Sequence, residues 1–228
     1  MSSGSDAAVE ERAADRAAGW LLGAASLLSV AFMAVHPVIH SRGIADALAE
    51  LSAKALRDRV VHGSLAALTV VLAVGWWRLL ERLSLRRVVV RVAAAALLLG
   101  ALGYVGAALV NGFVLPGLAD RYLGRPQEEM AGAVDLLRLC REMNQALAKL
   151  GVLAWAAALL LASQQMVASG RARGLGGAGL LVAAVMAVAI GSGLLPLHLW
   201  GMAAIVLLQA SWNVAAAVAL VRGRFAAG

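Results

Sequence analysis

Six residues of this chain could do chemistry that an apolar helix does not need: His36, His62, Asn111, Glu142, Asn144 and His198. Each stands in or beside the end of a long apolar run. Imidazole is the commonest protein ligand for transition metals, and a carboxylate can complete a metal shell or serve as base toward a bound water. Three readings follow. In the first, His36 and His62, at the facing ends of consecutive antiparallel spans, are axial ligands to the iron of haem b. In the second, His36, His62 and His198 hold a transition metal, zinc or copper, with Glu142 as fourth ligand or base. Asn111 and Asn144 stand behind the ligands as hydrogen-bonding support. In the third reading the cluster is not an enzyme centre: it binds or passes a small ligand, or mediates assembly in the membrane.

The flanking residues sharpen these sets. His36 and His40 are four apart, a spacing that puts two imidazoles on one helical face. Pro37 works against that, because proline cannot donate to the helix ladder and disfavours helix at the residue before it. The helix is therefore expected to break at His36, with His40 carried into a loop. His62 lies in RVVHGSL, where Gly63 lets a bulky group approach the backbone. Cys140 is the only cysteine, so it reads as a small buried hydrophobe and no intrachain disulfide is available.

The elements that must position these groups are apolar runs at about 17–36, 60–80, 88–112, 145–168, 175–195 and 198–221. Each is long enough to cross a hydrocarbon core of about 30 Å as a helix. With 62% hydrophobic residues, 14% charged residues and a mean hydropathy of +0.83, the chain is too apolar for an ordinary soluble domain. The expected fold is all-α, an integral membrane bundle of six transmembrane helices with both termini cytoplasmic. Eleven basic residues fall on the inner side, among them Arg78, Arg82, Arg86, Arg171 and Arg173. Eight fall outside, in two loops that also carry eight acids. The expected division is a polar tail over 1–16, a membrane domain over 17–221 and a tail over 222–228. Within the domain, an amphipathic segment at 41–58 lies on the membrane or lids the bundle, and an outer loop runs over 113–143. A helix starting near GRPQEEM is expected to run straight into span four, and spans five and six to form a tight hairpin.

The net charge of +7 does not point to nucleic acid, since the arginines are scattered among short loops without interleaved aromatics. The expected partners are the lipid bilayer and a quinone, a small redox partner or a lipid-like substrate. No oligomeric state follows from the residues. The first span follows an N-terminus of mixed charge without a cleavage pattern and is expected to be retained. Eighteen arginines against two lysines, with abundant Ala and Gly, fit a bacterial source and the inner membrane.

Trp20, Trp76 and Trp77 are expected near the inner boundary and Trp200 near the outer one, with Trp155 and Trp212 in the core. His62 precedes Trp76 by fourteen residues and His198 precedes Trp212 by fourteen, an echo that a repeat of helical hairpins would explain. Gln209 and Asn213 either continue a polar track from His198 or hydrogen-bond neighbouring helices, the latter being favoured.

The stretch VNGFVLPGLADRY, residues 110–122, resembles that of certain uncharacterised small bacterial membrane proteins, in which a Gly-Phe-x-x-Pro turn follows a span. The resemblance implies a bacterial polytopic bundle and no activity. The His and acid ingredients are similar to those of the alkaline ceramidase and progestin-receptor-like membrane hydrolases, which implies a zinc-dependent hydrolase as a further alternative. Those proteins have seven spans and a terminal HxxxH that His198 does not reproduce, so no residue carries over.

Overall fold

The computed structural model describes residues 3–41, 43–195 and 197–225. Arg42 of the first outer loop, Pro196 of the last turn and the extreme ends of both tails lie outside the described residues. The structure is all-helical. Among the described residues, six helices are long and apolar enough to cross a membrane. The elements are α1 (Ser3–Ala34), α2 (Ile44–Arg82), α3 (Val88–Leu109), α4 (Leu115–Tyr122), α5 (Met130–Ser169), α6 (Arg173–Gly191) and α7 (Leu199–Val221). A π-helical turn over Val110–Val114 joins α3 to α4.

Three helices run further than the apolar pattern implies. The amphipathic segment at 41–58 is no separate surface helix, because α2 continues without a break from Ile44 through the apolar run. At 1.5 Å per residue its 39 residues span about 58 Å, roughly twice a hydrocarbon core. The outer loop at 113–143 is likewise mostly helix. The ring of Pro116 would clash with the carbonyl four residues back, at Gly112, and the backbone answers by widening into the π turn instead of stopping. After a short connection, the second half of that loop enters α5, whose 40 residues continue into span four. From Ser3 onward the tail also belongs to a helix, since its Ala, Glu and Arg residues are good helix formers. Asp15, 2% exposed, receives Arg78 Nε and Arg82 Nε, each at 2.8 Å, and so pins this end of α1 to α2.

The helices form a closed ring in which each packs on the next: α1 on α2, α2 on α3, α3 on α5, α5 on α6, α6 on α7 and α7 back on α1. Lipid supplies no hydrophobic drive between such helices, so close van der Waals approach holds them together. At the α3–α5 crossing a Cβ on Gly103 would lie 2.6 Å from the backbone nitrogen of Gly151, so only glycine fits. Gly19 plays the same part between α1 and α7, where a Cβ would meet the Ala217 carbonyl at 2.8 Å.

Trp76 corrects the reading of it as a boundary anchor. It is fully buried, stacks on Trp212 with ring centroids 5.0 Å apart, and donates from Nε1 to Asn213 Oδ1 at 3.0 Å. Its neighbour Trp77, about 100° further round α2, takes the exposed position, as do Trp20 and Trp200. Trp155 and Trp212 lie in the core.

Candidate functional site

α1 ends at Ala34, and Pro37 keeps the chain from resuming a helix before α2. This places His36 just past the helix end, free to turn inward, and leaves His40 exposed. The loop is held from α2 by Glu50, whose carboxylate accepts from the backbone nitrogens of His40 and Ser41, each at 3.0 Å, and from Ser41 Oγ at 2.7 Å.

The inward turn brings His36 Nε2 to 3.1 Å from His62 Nε2, with the rings edge to face at an interplanar angle of 77°. The other nitrogen of each ring is fixed. His36 Nδ1 donates to the Pro37 carbonyl at 2.8 Å, and His62 Nδ1 to the Asp58 carbonyl at 2.9 Å. A carbonyl can only accept, so both Nδ1 atoms carry hydrogen, and in the neutral pair both Nε2 atoms point lone pairs at one another. Such lone pairs repel at this distance unless a shared proton or a metal ion lies between them.

His62 is held by packing as well as by hydrogen bonds. Only 4% exposed, it lies against Gly112 in the π turn, where a Cβ would stand 2.5 Å from His62 Cβ. About 100° further round α2, the space beside Gly63 is taken by Phe113, whose Cζ would lie 3.5 Å from a Cβ there. The Gly-Phe pair at 112–113 thus grips the helix segment that bears His62.

The His pair stands at one end of a cavity of about 270 Å³ in the middle of the helix ring. Asn111, Asn144 and His198 line the same cavity, His198 from an exposed position at the start of α7. Asn144 Oδ1 is buried without a partner. Glu142 is not among the lining residues and is exposed; two residues before Asn144 on α5, it points about 200° away round the helix. Among the described residues no three His, Cys, Asp or Glu side chains come together as a metal-ion group.

Several polar groups at the cavity and the His pair were not singled out from the sequence. Asp58 is 6% exposed, its Oδ1 lies 3.8 Å from His62 Nδ1, and its Oδ2 has no partner. The signal for it was the Asp-to-His spacing of four on one helix. Gln145 lines the cavity and donates to the Leu197 carbonyl at 3.0 Å, tying α5 to the turn that carries His198. Deeper in, Tyr104 accepts from Gln209 Nε2 at 2.7 Å. Gln209 and Asn213 therefore do both things considered for them: they line the cavity and bond across helices. The His-to-Trp echo has a spatial counterpart, since Trp76 stacks on Trp212 while His62 and His198 face one cavity.

Comparison with known protein families, curated proteins and solved structures finds no match for this chain. The site's geometry therefore carries the functional argument by itself.

Proposed function

We propose that this is a multi-pass protein of the bacterial inner membrane, both termini cytoplasmic, in which His36 and His62 hold one transition-metal ion at the outer end of the bundle cavity. The observation that carries the reading is the pair of Nε2 atoms 3.1 Å apart, each on a ring whose Nδ1 donates to a carbonyl. Metal-ligating histidines donate their other N–H in this way, which fixes the tautomer and strengthens the ligand. With metal–nitrogen bonds of about 2.0–2.1 Å, this spacing corresponds to a nitrogen–metal–nitrogen angle of about 100°, close to tetrahedral. With no third His, Cys, Asp or Glu grouped with the pair as a metal shell among the described residues, water and the unpartnered Asn144 Oδ1 of the same cavity are the groups left to complete it.

The same distance favours an ion over haem. Axial ligands lie on opposite faces of a porphyrin, about 4 Å apart for bonds of this length. The hydrolase alternative loses support with Glu142, the group intended as its base, turned out of the cavity. A second reading, binding or transport of a small ligand without a metal, is favoured by the cavity's continuation below the His pair.

Elemental analysis and an absorption spectrum of the purified protein test the proposal. About one zinc or copper per chain, lost in His36→Ala, is the expected result, and copper would make the centre redox-active. A Soret band would replace the ion with haem. Neither signal after growth in metal-supplemented medium would leave the ligand-binding reading in its place.

A further inference from the structure

We infer that the inner half of the cavity binds a small ring compound bearing a carbonyl oxygen, the chemistry of a quinone head group taken from the lipid phase. This stands on the ligand-binding reading of the cavity and not on the metal. Trp155 is 2% exposed and lines the cavity, yet its Nε1 has no partner. An indole N–H can only donate, so this side chain brings an unspent donor to the cavity wall. A second donor stands beside it. Tyr104, its ring centroid 5.8 Å from that of Trp155, accepts from Gln209 and so keeps its own hydroxyl proton to give. Asn213 Oδ1, which lines the same cavity, is already engaged by Trp76.

The remaining walls are mostly apolar, including Leu65, Leu72 and Val206, and the hydroxyls of Ser26, Ser29 and Thr69 among them donate to carbonyls of their own helices. A volume of about 270 Å³ equals roughly nine waters' share of liquid volume, the scale of one substituted ring. Trp155 lies eleven residues beyond Asn144 on α5, about 16 Å along its axis and so about half a hydrocarbon core deep. A molecule already dissolved in the membrane reaches that depth most readily. Two unspent donors on neighbouring rings of a largely apolar slot favour a carbonyl, because its oxygen accepts while the ring fills the space.

The test uses the purified full-length chain in detergent and two probes of one shape, duroquinone and durene, which differ in the two carbonyl oxygens. Calorimetric titration should show saturable binding of duroquinone at one per chain and at least about 10-fold weaker binding of durene, since a site built for a hydrogen bond rejects the analogue lacking it. Trp155→Phe and Tyr104→Phe should each weaken duroquinone about 5- to 10-fold and leave durene unchanged. His40→Ala, exposed in its loop and outside the cavity lining, should bind duroquinone within about 2-fold of wild type. Equal affinity for the two probes, or no saturable binding of duroquinone, would overturn the inference. So would loss of duroquinone in His36→Ala with Trp155→Phe unaffected, which would move the ligand to the His end. If Trp155→Phe does not fold by circular dichroism, Tyr104→Phe and the probe pair on the wild-type chain decide the matter.

Discussion

Gly112→Ala is the sharpest perturbation of the His pair, because it adds one methyl group and touches no ligand. The new Cβ would lie 2.5 Å from His62 Cβ and 3.2 Å from both His62 Cγ and the Asp58 carbonyl oxygen. Carbon atoms in contact prefer about 3.5–4.0 Å, so α2 and the π turn must separate by about 1 Å. Moved by that amount away from His36, His62 Nε2 would stand about 4 Å from its partner, too far to share a proton or a tetrahedral ion. Overpacking of this kind costs about 1–3 kcal/mol of stability. Gly112→Ala should therefore lose most of the bound metal on equilibrium dialysis and unfold at lower temperature, while keeping its helix content. His62→Gly removes the atom that clashes, so adding Gly112→Ala to it should cost little further stability. A Gly112→Ala protein with full metal occupancy and unchanged melting temperature would falsify the claim that this glycine seats His62.

Other outcomes are equally concrete. His36→Ala and His62→Ala should each abolish most bound metal, with the double variant adding little, whereas His40→Ala, exposed in its loop, should be mild; metal content by mass spectrometry separates these cases. Asn213→Ala orphans Trp76 Nε1 in the core and should cost about 1–3 kcal/mol in denaturant unfolding, with no such loss refuting the bond's role. Ser84 adopts φ 77°, a left-handed conformation, so Ser84→Gly should raise stability by about 1 kcal/mol in the same assay. In a Cys140→Ala background, cysteines at Ser84 or Ala172 should resist membrane-impermeant thiol reagents in intact cells, and labelling there would invert the topology.

What the sequence determined by itself was local. Run lengths and hydropathy are properties of consecutive residues, so six helices of spanning length and the place of His36 just past the end of the first were readable from it, whereas His62, expected at the start of a span, lies inside the unbroken α2. Pro37 marked the break that frees His36 for the same reason. The rotation of each helix was not readable, because a helix apolar all round looks alike on its lipid and core faces. Only the packed ring decided that Glu142 faces away while Asn144 and Gln145 face in, and that Trp76 is core while Trp77 is not. The ring also decided that Gly112 permits His62's seat and that Trp155 keeps an unpartnered donor. Those facts depend on which surfaces meet, and contacts between residues far apart in the chain settle that.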